Sequence, residues 1–159
     1  MLTFSQLVLR LLVGMALGAL MGLERELVGK EAGIRTAMLV SGGATIFTMI
    51  SILMPYFAQL PVEELKNTLP DRVLSNIVVG IGFLGAGIII KTGEHVRGLT
   101  TAALIWAAAA VGTLVGLGLI KFAVVAAVAM SGSLYVLRKI GIYEKVRPGH
   151  RVQQNGDGA

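Results

Sequence analysis

The 159 residues of this chain are 55% hydrophobic and only 14% charged, with a mean hydropathy of +0.78. Soluble domains carry about 25% charged residues, so a water-soluble fold of this size is excluded. There is no cysteine, which excludes disulfides, thiolate metal sites and cysteine nucleophiles. The net charge of +5 is not arranged as a basic stripe with interleaved aromatic residues, so we expect no nucleic-acid partner. Composition predicts an all-α integral membrane protein in contact with the lipid bilayer.

The apolar segments predict five transmembrane helices, because one span needs about 20 mostly apolar residues. The first three predicted spans are Phe4 to Leu23, Thr36 to Met54 and Asp71 to Ile90. The first segment shows no cleavage site and is expected to be retained, and Pro55 is expected to close the second. The apolar run from Thr101 to Leu137 is too long for one span.

We interpret that last run as a hairpin of two helices that turns between Gly116 and Lys121. The prediction is thus a transmembrane helical domain over residues 1–137. A short basic cytoplasmic tail, 138–159, follows it and could attract anionic lipid. The polar end of that tail is expected to be disordered.

The positions of the basic residues predict orientation, because Lys and Arg concentrate in cytoplasmic segments. A chain with its N-terminus outside and its C-terminus in the cytoplasm keeps most of its cations inside. The cytoplasmic cations are Arg25, Lys30, Arg35, Lys91, Arg97, Arg138, Lys139, Lys145, Arg147 and Arg151. Only Lys66, Arg72 and Lys121 fall outside, and Arg10 lies within the first span. We predict this topology.

Small residues at four-residue spacing let transmembrane helices approach closely. Gly14, Gly18 and Gly22 form such a row in the first helix, and Gly112 and Gly116 repeat it in the fourth. The rows predict packing within one chain or, alternatively, the seam of a homo-oligomer, with a dimer favoured.

The third helix contains Gly80, Gly82, Gly85 and Gly87, the first three of which match the dinucleotide fingerprint G-x-G-x-x-G. The strand and the acidic ribose ligand that the fingerprint requires are missing from the sequence pattern. We expect these glycines to serve helix packing or a local break instead. Trp106 lies deep in the fourth span and is expected to pack in the core.

Polar residues inside or at the outer edge of the membrane are candidates for function. Arg10 lies in the first span and either extends to the headgroups or has a functional role. Arg72 is expected to anchor the third helix or to pair with Asp71, and Asn76 lies within that helix. Thr100 and Thr101 are expected to cap the fourth helix.

Two charged segments carry the most specific patterns: GLERELVGKEAGIRT from Gly22, and GIGFLGAGIIIKTGEHVRGLTTAALIWAAAAVG from Gly80. Together they resemble the MgtC/SapB family of bacterial inner-membrane proteins over nearly all of residues 14–117. The family pattern matches these residues: Gly22, Glu24, Arg25, Glu26, Gly29, Lys30, Gly33, Arg35, Thr36, Arg72, Gly80, Gly82, Phe83, Gly85, Ala86, Gly87, Gly98, Leu99, Thr100, Thr101, Ala102 and Trp106. The family's outer acid is replaced by Leu69 and a common glutamine by Asn76. Well-known members continue into a soluble C-terminal domain, which this chain is expected to lack.

The resemblance implies adaptation to low Mg²⁺ and, in pathogens, virulence. Two roles stay open: a non-enzymatic regulator of ion homeostasis or of a membrane partner such as the ATP synthase, or a transporter or channel for Mg²⁺ or another ion. No nucleophile–base–acid set is visible, so no enzyme and no resident cofactor is expected. Mg²⁺ remains possible, with Glu24 and Glu26 as weak ligand candidates.

A charged cytoplasmic face is the predicted working surface: Glu24, Arg25, Glu26, Lys30, Arg35, Thr36, Lys91, Arg97, Thr100 and Thr101. Its acids could form a metal site, a docking surface, or an ion-pair network that neutralises itself. In the network interpretation Glu26 pairs with Lys30 one helical turn on. Glu24 or Glu26 could also pair with Arg97 of the second loop.

Overall fold

A computed structural model describes residues 2–57 and 70–140, except for the side chains of Pro70 and Asp71. Within these ranges the chain forms five helices: α1 (Phe4–Leu27), α2 (Ile34–Phe57), α3 (Pro70–Ile88), α4 (Leu99–Gly116) and α5 (Ile120–Lys139). Four of them, α1, α2, α4 and α5, are long and apolar enough to cross a membrane, whereas the apolar part of α3 is shorter. The predicted all-α, multi-pass membrane fold is confirmed.

The helix boundaries agree with the predicted ones except at Pro55, which was expected to end the second helix. The turn between α4 and α5 falls between Gly116 and Ile120, as predicted. Pro55 does not close α2, since it lies inside the helix and is buried. In a membrane helix, packing of neighbouring groups can compensate for the hydrogen bond that proline removes. The prediction that Pro55 ends the second span was therefore wrong.

The predicted polar turn after α3 is an antiparallel hairpin of two short strands, β1 (Ile90–Thr92) and β2 (His95–Arg97). Thr92 is paired with His95, so the loop has two residues, and Gly93 adopts a φ of 59° that suits glycine. The helix that follows starts at the N-cap Gly98, which has a φ of 85° and makes no side-chain capping bond. Thr100 and Thr101 are thus in the first turn of α4, and the prediction that they cap it was wrong.

Helices α1, α2 and α4 form the tightly packed centre of the bundle. The helix α1 runs antiparallel to α2: Gly14 faces Thr45, Gly18 faces Ala37 and Ser41, and Gly22 faces Gly33 and Ile34. A methyl group on any of these glycines would meet a neighbouring atom closely; at Gly22 it would lie 2.6 Å from the carbonyl oxygen of Gly33. The row of glycines in α1 therefore packs against α2 within one chain.

The helix α4 lies parallel to α2, because Gly112 contacts Ser41 and Gly116 contacts the following turn of α2. A methyl group at Gly116 would lie 2.6 Å from Cβ of Thr48. Large side chains of α1 and α4 fill the remaining space, and Met21, Val111 and Val115 are fully buried. This arrangement puts the N-termini of α2 and α4 at the same end of the bundle as the C-terminus of α1.

The central helix α2 carries a buried row of hydroxyl groups that is used for packing. The Ser41 hydroxyl donates to the Gly14 carbonyl of α1 at 2.7 Å. The Thr45 hydroxyl lies 2.8 Å from the Ser41 carbonyl and 2.9 Å from the Gly112 carbonyl of α4. In lipid, such bonds join helices where hydrophobic attraction between them is weak.

Helices α3 and α5 lie at the periphery. Only Ala123 and Ala127 of α5 are buried, and Phe83 of α3 is 81% exposed. Gly85 is in ordinary contact with Ala102, but a methyl group at Gly80, Gly82 or Gly87 would meet no atom within 4 Å. Those three glycines were expected to permit close packing or a local break. Within the described part of the chain they do neither, because no neighbour approaches them and α3 is continuous through them.

Trp106 is 53% exposed on α4, so the prediction of core packing was wrong. The helix α4 places its small residues inward, where Ala102, Ala108 and Ala109 are buried. The indole therefore faces the outside of the bundle, where lipid surrounds a membrane protein. In lipid, burying a large apolar side chain between helices gives little hydrophobic stabilisation.

Candidate functional site

One end of the bundle, called here the charged end, collects the residues predicted to form the working surface. It contains the connection between α1 and α2, the β1–β2 hairpin and the C-terminus of α5. Three contacts bring these segments to one end: Gly22 with Gly33, Ile88 with Gly98, and Glu24 with Arg138. The prediction that the first and second loops emerge on the same side is confirmed. Which side of the membrane they face stays a prediction.

Glu24 is the most enclosed acid of the charged end. Its carboxylate accepts a hydrogen bond of 2.8 Å from Nε of the neighbouring Arg25, and both side chains are only 11% exposed. Arg138 from the last turn of α5 approaches the other carboxylate oxygen at 3.8 Å. Because few water molecules reach this carboxylate, its charge is screened mainly by the two guanidinium groups. The cluster links the end of α1 to the end of α5, and the sequence pattern did not predict Arg138 as a partner.

Glu26 has a different role from the predicted pair with Lys30. The helix α1 ends at Leu27, so residues 26 and 30 are not one turn apart on a continuous helix. The Glu26 carboxylate instead accepts a 2.9 Å hydrogen bond from the backbone amide of Ile34, the first residue of α2. Free amides and the positive end of the helix dipole favour a carboxylate at this place. Glu26 thereby fixes the approach of the loop to α2.

The other cations of the charged end project outward. Lys30, Arg35, Lys91 and Arg97 are exposed, and none of them forms an ion pair with the described residues. The suggested pairing of Glu24 or Glu26 with Arg97 was wrong, since both acids have other partners. Thr36 and Thr100 are also exposed, whereas Thr101 is 3% exposed and lies in the bundle. The surface thus presents these exposed cations, together with the exposed acids Glu31 and Glu94, around the Glu24–Arg25–Arg138 cluster.

A built metal site is not found in the part of the chain that the structure describes, where no three His, Asp or Glu side chains converge. Glu24 and Glu26, the candidate ligands, are engaged with Arg25 and with the Ile34 amide. Mg²⁺ prefers carboxylates supplemented by several waters. Glu24 would compete for it with two guanidinium groups, and Glu26 has only one carboxylate oxygen engaged.

The opposite end of the bundle holds the predicted membrane-edge residues. Arg10 donates from Nη1 to the carbonyl oxygen of Gly116 at 2.7 Å, so its side chain is directed to the α4–α5 turn. Arg72 and Asn76 on α3 are exposed, and the proposed partner side chain of Arg72, Asp71, lies outside the described residues. Lys121 is exposed at the start of α5. These groups are distributed around the rim and do not form a cluster.

Comparison with known proteins agrees with this architecture. A model described as the MgtC family matches residues 11–142. An uncharacterized protein of Synechocystis, slr0014, is 37% identical over 150 residues, which are 94% of this chain and 60% of that protein. Protein MgtC of Salmonella typhimurium is 42% identical over 132 residues, 83% of this chain and 52% of the relative.

Protein MgtC of Brucella abortus is 49% identical over 112 residues, which are 70% of this chain and 43% of the relative. The chain thus spans about half the length of the curated relatives it matches. No solved structure matches it. Since the family match extends over most of the five-helix bundle, this chain belongs to the MgtC family.

Proposed function

We propose that the chain is a non-enzymatic protein of the bacterial inner membrane that supports adaptation to low Mg²⁺ and, in pathogens, virulence. In this proposal it regulates ion homeostasis by acting on a membrane partner through the charged end. Membership of the MgtC family supports the physiological setting. The ATP synthase is one candidate partner, as the family resemblance implies.

One observation favours regulation over transport: the polar groups in the centre of the bundle are occupied in packing. The hydroxyls of Ser41, Thr45 and Thr48 donate to helix carbonyls and are fully buried between the closely packed central helices, so they serve helix packing. The exposed cations Lys30, Arg35, Lys91 and Arg97, which form no ion pair with a described residue, lie together at one end. Such an arrangement suits recognition of an acidic surface on another protein, since complementary charge gives specificity and faster association.

The fixed Glu24–Arg25–Arg138 cluster gives this surface a defined shape. Because Glu24 contacts α1 and α5 side chains at once, its removal would free both the end of α5 and the Arg25 guanidinium. The exposed cations Lys91 and Arg97 extend from a hairpin that is itself fixed in register. We propose that the cluster positions the surface and that the exposed cations bind the partner.

Growth of a deletion strain at limiting Mg²⁺, complemented with variants, tests this proposal. Lys91→Glu with Arg97→Glu should abolish complementation while membrane abundance stays normal. Glu24→Lys should also impair growth, and adding Arg138→Glu should restore part of it if the cluster is the cause. Lys121→Glu, an exposed cation at the opposite end, is the matched control and should complement fully. Full complementation by the hairpin variant at normal abundance would contradict the proposal.

An ion conduit is the second candidate, and the exposed face of α3 favours it. Asn76 is exposed on this helix, and the spaces beside Gly80 and Gly87 are open in one chain. If several copies brought α3 to a shared axis, polar Asn76 side chains could line a path. Mg²⁺ flux into liposomes that contain the purified protein tests this role. Flux that Asn76→Leu abolishes would support the conduit, and flux equal to empty liposomes would contradict it.

A further inference from the structure

We propose that the cavity between α2 and α3 at the charged end binds an anionic phospholipid. One acyl chain would occupy the cavity, and the headgroup phosphate would be held by Arg35 and Lys91. The site shares Lys91 with the partner surface proposed above, but it has a cavity of its own between α2 and α3, and lipid retention by the purified protein does not depend on the partner.

The cavity has the size and the walls of an apolar ligand site. Its volume is about 410 Å³, and pockets for small ligands are roughly 300–1,000 Å³. Thr36 and Val40 of α2 form one wall, Ile105 of α4 forms the floor, and residues 83–88 of α3 contribute the other wall. Apart from the Thr36 hydroxyl, the lining side chains are apolar.

The cavity opens to the side, where the bilayer surrounds the protein. Phe83 and Leu84 on its α3 wall are 81% and 50% exposed, and the helices at this place belong to a membrane bundle. Water gains little in an apolar cavity because it finds few hydrogen-bonding partners there. Lipid tails are the most abundant apolar groups beside this opening. We therefore infer that an acyl chain occupies the apolar cavity.

The charge around the mouth of the cavity selects the headgroup. Thr36 and Ile88 mark the end of the cavity nearest the loops; Arg35 directly precedes the first, and Lys91 follows the second by three residues. Both cations are exposed, and neither is ion-paired with a described residue. Of the acids in the same two loops, Glu26 already accepts from the Ile34 amide, and Glu31 and Glu94 are exposed and form no ion pair with a described residue. Basic pockets between membrane helices bind the phosphates of anionic lipids.

A second copy of the chain fits the site less well. Copies inserted in the same orientation would bring their charged ends to the same depth, so Arg35 and Lys91 would approach further cations. The unpaired positive charge therefore favours an anionic lipid as the occupant.

Purified protein in mild detergent, titrated with phosphatidylglycerol or with phosphatidylcholine of the same acyl chains, tests the site. Retained lipid is counted by native mass spectrometry, and stabilisation is measured as the shift in Tm. Gly87→Leu places a side chain in the cavity, where a methyl group at this glycine meets no atom within 4 Å. Gly82→Leu, on the same helix with equally open surroundings but outside the cavity lining, is the matched control.

We expect wild type and Gly82→Leu to retain phosphatidylglycerol and to gain Tm from it, and Gly87→Leu to lose both effects. Arg35→Gln or Lys91→Gln should each weaken phosphatidylglycerol binding about fivefold and leave phosphatidylcholine binding unchanged. If Gly87→Leu does not fold, the Arg35→Gln, Lys91→Gln double variant decides alone. Undiminished phosphatidylglycerol binding by the folded variants, or equal binding of both lipids to wild type, would overturn the proposal. Loss of a dimer in Gly87→Leu without loss of lipid would assign the cavity to a second copy.

Discussion

Arg10 of α1 and Gly116 of α4 are 106 positions apart and joined by a hydrogen bond of 2.7 Å from the guanidinium to the carbonyl oxygen. The last carbonyls of a helix have no partner within it and carry the negative end of its dipole. A cation at this place satisfies both demands. Gly118, with a φ of 88°, leaves room for it, because a Cβ there would lie 2.7 Å from Nη2 of Arg10. Arg10 thus caps α4 from a neighbouring helix.

We expect Arg10→Met to lower the stability of the bundle by about 1–3 kcal/mol, since a part-buried carbonyl loses its charged donor. Thermal unfolding in detergent, followed by circular dichroism, measures the change. Lys121→Gln removes an exposed cation at the same end and should leave Tm unchanged. Equal Tm values for both variants and wild type would show that the Arg10 bond contributes no stability.

The two buried threonines of α2 offer a comparison that isolates one interhelical bond. Thr45 and Thr48 are both fully buried, and each hydroxyl bonds the carbonyl four residues before it. Only Thr45 also lies within reach of α4, at 2.9 Å from the Gly112 carbonyl. Thr45→Val should therefore cost about 0.6–1.7 kcal/mol, and Thr48→Val clearly less. Unfolding of both variants by titration with SDS measures the difference in their free energies of unfolding. A larger loss of stability for Thr48→Val than for Thr45→Val would contradict this account.

The five helices could be predicted from the sequence, and four of them meet the length and apolar composition that the bilayer imposes on a span. The packing of the glycine row of α1 could also be predicted, because only small residues let two membrane helices approach as closely as α1 and α2 do at Gly18 and Ala37. The charges of the loops also predicted that they share one side. These signals are local or periodic, so one sequence is enough to detect them.

The partners of individual side chains could not be predicted, because they depend on which helices are neighbours. Glu24 meets Arg138 and Arg10 meets Gly116 only through the packing of α1 against α4 and α5. Trp106 was expected inside because it lies too deep in its span for an interfacial anchor, but lipid accepts an exposed indole. The bond from the Ile34 amide to Glu26 had no local signal either, because Glu26 lies in the last turn of α1, eight residues before α2 begins.

Packing through glycine predicts opposite effects at two kinds of position. A methyl group at Gly112 would meet the Ser41 carbonyl, and overpacking of this kind costs about 1–3 kcal/mol. A methyl group at Gly43 of α2 would meet nothing within 4 Å, so Gly43→Ala should be neutral or slightly stabilising through helix propensity. Tm in detergent compares Gly112→Ala with Gly43→Ala. A stable Gly112→Ala would show that α4 can move away from α2 without penalty.

The final prediction is the orientation of the charged end. Most Lys and Arg residues lie on the α1–α2 connection, the β1–β2 hairpin and the C-terminal segment, which favours the cytoplasm for all three. The chain has no cysteine, so single-cysteine variants need no background substitution. Glu94→Cys in the hairpin and Lys121→Cys at the opposite end both lie at exposed positions.

In intact cells, a membrane-impermeant maleimide should label Lys121→Cys and leave Glu94→Cys unmodified until the membrane is permeabilised. Labelling both variants after permeabilisation is the control for reactivity. Because Lys121 begins α5 and Glu94 precedes α4, the pair reports opposite ends of one bundle. External labelling of Glu94→Cys would show that the topology is the reverse of the predicted one. The charged end would then face away from the cytoplasm and could not bind a cytoplasmic partner.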